Sequence, residues 1–378
     1  MRMSVEQTLA ELVAIDSVSQ RSNIEIVKYL EYRCAILGLQ TKRFPYEDEF
    51  GVEKINLIAL SGADFSQATP IELALVGHTD TVPYDPAWTE ATTLTERDGK
   101  LFGRGACDTK AFIASMLTAV AVANPQQSLA LIFTADEELG LFGAKRLAAE
   151  KILEIRHAIV GEPTSLQPMR AGKGYCLAEL TVKGREAHSA YPAFGASAIM
   201  RAAHLLTRID NIAEKLKAET HNDFDPPYTT LNVGLVRGGT AKNVIPGECR
   251  LTLEWRPVPG QDPHRLLNLI EEAIADEKKT DADFFCDVEA GRTDNGFDTS
   301  SASDLVLFMQ EMTGKKAGTV AFGTEAPQMI ELGADAVVFG PGDIRVAHRT
   351  DEFVPIAELN SCVEILTKAI DHYCGPRP

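Results

Sequence analysis

Acidic and imidazole side chains recur in this sequence where apolar, strand-like runs end. The run 71–77 ends in His78-Thr79-Asp80, 129–135 in Asp136-Glu137-Glu138, and 157–161 in Glu162-Pro163. The run 336–340 leads through a Pro-Gly loop to His348, and a Gly-rich loop, Gly103-Arg104-Gly105-Ala106-Cys107-Asp108, opens a helix. Imidazole plus carboxylate is the donor set of Zn²⁺ and related divalent ions. Open α/β sheets build their sites at strand ends. Together these residues predict a hydrolytic centre with two metal ions.

Each position also has a plainer reading. Side chains alternate along a strand, so His78 and Asp80 share one face, and the carboxylate can orient the imidazole and raise its basicity. The same trio is equally the polar turn after a buried strand. Asp108, taken alone, reads best as a helix N-cap. Its loop does not fit a phosphate-binding G-x-x-x-x-G-K-[ST] pattern, because Lys110 follows the Asp and no Ser or Thr comes next. The triplet Asp136-Glu137-Glu138 is the strongest local signal. Three acids at a buried strand tip repel one another unless a cation neutralises them, and adjacent glutamates can divide the roles of ligand and base. Against this, the helix dipole favours acids at a helix start. Glu162 precedes Pro163 and cannot simply continue a helix, and His348 sits in a loop. His188 follows Gly184-Arg185-Glu186-Ala187, far in sequence from the acids, and spacing leaves its role open.

The elements that must carry these residues follow from periodicity. Residues 4–38 read as an amphipathic helix, a break near 17–22, and a second helix closing at Gly38. Strands are expected near 55–60, 71–77, 129–135 and 157–161, with helices over 109–123 and 140–149. This alternation predicts an α/β sheet. From Tyr175 the apolar period becomes two. Strands at 175–182, 230–236, 248–255 and 282–289, with helices near 195–217 and 263–278, give the β-α-β-β-α-β order of a ferredoxin-like unit. A helix at 303–313, strands at 318–322 and 336–340, and a closing helix at 355–373 complete the pattern. The chain thus reads as a discontinuous domain, 1–171 and 291–378, interrupted by an insert, 172–290.

Composition narrows the class. At 378 residues the chain exceeds one ordinary core and implies about two domains. Hydrophobic content of 45% and charged content of 24% are those of a soluble globular protein. A net charge of −17 argues against nucleic acid or an anionic membrane as partner. No apolar run approaches the ~20 residues of a membrane span, and the N-terminal segment lacks a signal-like core, so a cytoplasmic location is expected. The 7 cysteines are scattered without a C-x-x-C pair and read as reduced thiols. Cys107 reads as a small buried residue, since carboxylates fill the site beside it.

Taken in order, Gly77-His78-Thr79-Asp80-Thr81-Val82-Pro83, Gly103-Arg104-Gly105-Ala106-Cys107-Asp108-Thr109-Lys110, Asp136-Glu137-Glu138, Gly161-Glu162-Pro163-Thr164-Ser165 and the His348 segment resemble the co-catalytic zinc aminoacylase and carboxypeptidase family. The resemblance spans essentially the whole chain; each segment is weak alone, and their order is specific. Where that family commonly has Gly after Asp-x-Lys, this chain has Ala111, a small change at a helix start. The segments Gly161-Glu162-Pro163-Thr164-Ser165-Leu166-Gln167-Pro168 and Gly323-Thr324-Glu325-Ala326-Pro327 are most similar to the branch acting on N2-acetyl-L-ornithine. Desuccinylases of N-succinyl-diaminopimelate usually carry a Thr-Ser-Asp-Gly type sequence at the second place.

The resemblance implies a zinc-peptidase-like α/β catalytic domain with a central mixed sheet, interrupted by a ferredoxin-like α+β lid and dimerisation domain. It implies two divalent ions, Zn²⁺ foremost, with Co²⁺ able to take the same sites. His78 and Glu162 would hold one, Glu138 and His348 the other, and Asp108 would bridge them. Asp80 would orient His78, Glu137 would act as general base, and His188 would reach into a partner's site to stabilise an oxyanion. Asn243 and Arg256 would bind the substrate carboxylate, and Thr324 and Glu325 are further candidates for substrate binding; as a separate hypothesis, Glu325 recognises the δ-ammonium of ornithine. The implied partners are a small N-acyl amino acid and a second copy of the chain.

Other readings use the same residues. The substrate could be N-succinyl-diaminopimelate, N-acetylcitrulline, or a peptide cut by a dipeptidase or carboxypeptidase. A metal-binding or dimerisation module without catalysis would lack a base or a ligand, whereas Glu137, the ligand candidates and His188 are all present. A purely structural protein would not need unpaired acids at several strand ends.

Overall fold

Four apolar runs lie side by side as strands, and their order places the site. In the computed structural model, which describes residues 3–63, 65, 70–123 and 125–376, the chain divides into two compact units. The first comprises Met1–Arg170, Thr299–Gly318 and Thr324–Pro378; the second comprises Ala171–Asp298 and Thr319–Gly323.

In the first unit the strands run in the order Gln40–Glu47, Glu53–Ser61, Leu129–Thr134, Ile71–His78, Ile155–Val160, Asp335–Val338. Ile71–His78 is parallel to both its neighbours, and Asp335–Val338 is parallel to Ile155–Val160. These four strands therefore end at the same sheet edge, with His78 opposite Thr134, Val76 opposite Val160, and Val160 opposite Val338. The chain past each end carries a candidate residue.

Both sheet faces are covered, as parallel strands require. Leu73, Leu75, Leu129, Leu131 and Phe133 join one cluster with the helices Val5–Ala14, Ile24–Ile36, Lys110–Val122 and Ile356–Cys374. The alternate residues Ala74, Val76, Ala130 and Ile132 are just as buried and face the other way. The helix Lys110–Val122 is buried along most of its length, packed against the sheet, the first helix and the last. Its Ala-rich sequence permits that close approach. Gly38, with φ +76, follows the second helix and ends it, as expected.

The second unit is a four-stranded antiparallel sheet in the order Thr230–Gly238, Glu248–Arg256, Tyr175–Lys183, Phe285–Asp294. Burial alternates along Tyr175–Lys183, and the helices Ala198–Leu216 and Arg265–Thr280 share a core with the buried face. The β-α-β-β-α-β succession is the ferredoxin-like one.

Three features differ from the sequence-based expectation. The strand Gln40–Glu47 has no buried residue and includes Pro45, so an edge position gives it no apolar signature. The acids after Leu129–Thr134 form their own helical turn, Glu137–Gly140, before Phe142–Ala149. The last strand of the insert runs through Gly291 to Asp294: a bulge between Ala290 and Arg292 absorbs the glycine, and pairing resumes with Leu177, Cys176 and Tyr175.

The strand tip that carries the acids is locked by Asn56. Its Oδ1 accepts from the Ala135 amide at 3.0 Å, and its Nδ2 donates to the Gly143 carbonyl at 2.9 Å. A Cβ at Gly143 would stand 2.3 Å from Asn56 Oδ1 and 2.4 Å from the Ala135 carbonyl. Gly143→Ala should therefore cost about 1–3 kcal/mol through overpacking, read as a lower urea midpoint at constant m-value. An unchanged midpoint would mean that the tip yields freely.

Candidate dimetal site

Asp108 is shared between two imidazoles. Its Oδ1 lies 3.0 Å from His78 Nε2 and its Oδ2 lies 3.2 Å from His348 Nε2. Glu138 Oε1 is 3.1 Å from the same His348 nitrogen. Donor atoms of His78, Asp108 and Glu162 lie within 4.8 Å of one another, and so do those of Asp108, Glu138 and His348. A third group, His78, Glu137 and Glu138, overlaps both. Two ligand atoms around a tetrahedral ion, each at ~2.1 Å, stand roughly 3.4 Å apart. The observed imidazole–carboxylate spacings are close to that value, so a divalent ion fits each of the first two sets with Asp108 common to both.

Burial and the nearness of like charges shift the proton affinities of the groups at this edge. Burial, then the charges of Asp108 and Glu137, pushes Glu162 well above the usual carboxylate range. Burial also pushes Glu137 well up; the His78 charge opposes this, and Glu138 and Asp108 add to it. Glu138 is raised by burial and by Asp108. Asp108 is lowered, because hydrogen bonds from His348 and His78 outweigh its burial. His348 is raised to about 10 by its bonds to Asp108 and Glu138. His78 is raised well above the ordinary imidazole value, since Asp108 and the neighbouring acids overcome burial. These shifts favour the proton-bound forms of the imidazoles and glutamates, and metal ligation would compete with such protons.

The supporting contacts differ in part from those the sequence suggested. Asp80 was expected to orient His78 through its carboxylate, yet Oδ1 is 3.7 Å from His78 Nδ1, and the Asp80 carbonyl is nearer at 3.0 Å. The Asp80 carboxylate instead accepts from the amides of Glu137 and Glu138, at 3.2 Å each, and from the Ser19 hydroxyl at 2.8 Å. The 17–23 break between the first two helices is a cradle for this segment: Ser17 Oγ donates to the Thr79 carbonyl, and Asn23 Nδ2 to Thr79 Oγ1.

Sequence reasoning missed Lys54. It is 1% exposed, donates to Asp136 Oδ1 at 2.8 Å and to the Ser19 and Arg21 carbonyls, and so holds Asp136 in its left-handed conformation, φ +56. Tyr46 donates to the other Asp136 oxygen at 2.9 Å. The available signal was a lysine two residues before an asparagine inside an otherwise apolar strand. Cys107 is buried, with its thiol pushed up by that burial, and contributes to none of the donor groups.

The first unit also holds Thr324 and Glu325, both buried. Glu325 Oε1 has no hydrogen-bond partner among the described residues, and burial raises this carboxyl to about 7, against the Thr134 hydroxyl and the His78 charge. His188, Asn243 and Arg256 belong to the second unit. His188 is exposed and pairs with Val244 in a two-stranded ladder, and the Asn243 carbonyl accepts from the Ser189 amide, so these two are neighbours. Arg256 stacks over Tyr175 at 3.9 Å and donates to Glu254 and to the Ala321 carbonyl.

Two His–carboxylate donor sets joined by one carboxylate, at the C-terminal ends of parallel strands, form a candidate dinuclear site of the kind a metal-dependent hydrolase requires. The profile of peptidase family M20/M25/M40 matches residues 74–372, and the chain belongs to that family. It is 50% identical over 376 residues to the acetylornithine deacetylase of Myxococcus xanthus, covering 99% of this chain and 98% of that one. The acetylornithine deacetylase of Proteus mirabilis is 34% identical over 367 residues, covering 96% and 93%. Among solved structures, a tripeptidase from Staphylococcus aureus matches with a TM-score of 0.77 at 25% identity, covering 100% of this chain and 99% of that one. A metallo-carboxypeptidase from Sulfolobus solfataricus matches with a TM-score of 0.77 at 19% identity, covering 98% and 99%, and supports the fold. Among the described residues no helix is long and apolar enough to cross a membrane.

Glu325 gives the metal-free protein a measurable pH signature. Its carboxyl moves from 4.5 to about 7 on burial. Because the folded value is the raised one, its contribution to stability is full below 4.5 and is lost as pH rises through 7. Relative to Glu325→Gln, the wild type should therefore lose on the order of 3 kcal/mol across that window. Urea unfolding of the metal-free proteins at several pH values tests this; parallel pH profiles for the two would refute it.

Proposed function

We propose that this hydrolase cleaves the acetyl amide of N2-acetyl-L-ornithine to L-ornithine and acetate, a step that supplies ornithine for arginine biosynthesis. One observation carries the reading: two donor sets share Asp108, and Glu137 stands beside them, outside both. The full-length identity to acetylornithine deacetylases supports the substrate. His78 and Glu162 would hold one ion and Glu138 and His348 the other, with Asp108 available to both. Mixed nitrogen and oxygen donors suit Zn²⁺, and Co²⁺ takes the same set.

When bound, such ions make a water acidic near neutral pH and polarise the amide carbonyl. Glu137 takes the proton from the attacking water as the new C–O bond forms. His188 donates to the developing oxyanion. As the C–N bond breaks, Glu137 returns the proton to the leaving nitrogen, and acetate departs with the water's oxygen. Thr324 and Glu325 face the side-chain end of the substrate, where the unpaired Glu325 oxygen suits an ammonium group.

The second unit supports a homodimer. Tyr175–Lys183 and Glu248–Arg256 run antiparallel, so Arg256 sits at one strand end and the His188–Asn243 pair beyond the other. Eight steps of ~3.3 Å make that strand roughly 26 Å long, more than a small amino acid spans. In our reading the two strand ends therefore serve different active sites of a dimer, with His188 and Asn243 serving the partner's. The edge strand Thr230–Gly238 exposes Leu235 and Val236, which supports pairing with a second copy. The free, buried cysteines are compatible with a reducing cytoplasm.

Metal-stripped protein should be inactive on N2-acetyl-L-ornithine and regain turnover with Zn²⁺ or Co²⁺. Glu137→Ala should lose about 10²–10⁴-fold in kcat while binding both ions, and Glu325→Gln should lose selectivity for ornithine over neutral N-acetyl amino acids. Faster turnover of N-succinyl-diaminopimelate would move the assignment to that substrate. Mixing inactive Glu137→Ala with inactive His188→Ala should restore about a quarter of the activity through random heterodimers. No recovery after verified subunit exchange would place His188 outside the partner's site.

A further inference from the structure

Glu352 lies four residues past His348 and has no role in the donor sets, yet it is 1% exposed and makes four hydrogen bonds within the Asp108 loop. Its Oε1 accepts from the amides of Cys107 at 2.8 Å and Asp108 at 3.0 Å. Its Oε2 accepts from Arg104 Nη1 at 2.6 Å, and its carbonyl accepts from the Gly103 amide at 3.0 Å. Arg104, itself 4% exposed, also donates to the Pro83 carbonyl and lies over the Trp88 ring. A buried carboxylate is retained here because one guanidinium and two amides satisfy it.

Resting on the dimetal reading above, we propose that Glu352, with Arg104 as its counter-cation, is a positioning residue that sets the separation of Asp108 and His348. The logic is a count of donors. The set Asp108, Glu138 and His348 takes two of its three members from the loops that Glu352 ties together, whereas the set His78, Asp108 and Glu162 takes one. His78 and Glu162 are placed by strands that Glu352 does not touch. Loss of the clamp must therefore weaken the ion held by His348 more than the ion held by His78.

Outer partners of metal ligands typically account for 10–100-fold in metal affinity. The test is equilibrium Zn²⁺ binding to metal-free protein against a chelator, with bound ions counted by mass spectrometry. Wild type, Glu352→Gln and Glu352→Asp are compared, with thermal unfolding alongside. Glu352→Gln keeps an acceptor for the amides but opposes an NH₂ to Arg104; Glu352→Asp keeps the charge and shortens its reach, and serves if the first variant does not fold.

The proposal predicts that in a folded variant one ion is weakened at least tenfold more than the other. Wild-type affinity for both ions, or an equal loss of both, would overturn it. Wild-type protein that binds fewer than two ions would overturn the dimetal reading itself, a result distinguishable from failure of the clamp.

Discussion

Carboxylates of like charge must be held together at one buried edge, and the whole catalytic unit is arranged around that difficulty. Parallel strands deliver Glu162 and the acidic turn to the edge that His78 occupies, and the Gly-rich loop brings Asp108. Repulsion would splay these segments if only side-chain packing opposed it. The structure opposes it with the backbone. Asp80 ties the Glu137 and Glu138 amides to the His78 strand, and Glu352 ties the Cys107 and Asp108 amides to the His348 loop. In each case one buried carboxylate from a neighbouring loop accepts two consecutive N–H groups of a segment carrying other carboxylates. Negative charge is thus placed where helix-start dipoles favour it.

Much of this was legible in the sequence, and the reasons are specific. Strands such as Leu129–Thr134 are apolar on both faces, as parallel sheets demand, so the order of strand ends and the acids beyond them could be read directly. The insert was legible because its strands have one covered face and alternate. The partners of the site acids were not legible. Lys54 and Glu352 are ordinary surface residue types, and nothing local marks a lysine or glutamate as 1% exposed. Their meaning lies in contacts with Asp136 and Asp108, 82 and 244 residues away in sequence. Gly291 misled for the opposite reason: a glycine that looked like a domain exit is a bulge inside a continuing strand.

The same long-range contacts explain why neighbouring glutamates can serve different ends. Successive residues on a helical turn project about 100° apart, so Glu137 and Glu138 cannot both turn toward His348. Glu138 does, at 3.1 Å, which leaves Glu137 outside the two sets joined by Asp108. Asp80 holds both amides, and Lys54 with Tyr46 fixes Asp136 just before them, so the turn is tied in this orientation. In the proposed mechanism, the division between ligand and base would therefore reside less in the two glutamates, which are chemically identical, than in the buried groups that tie down their turn.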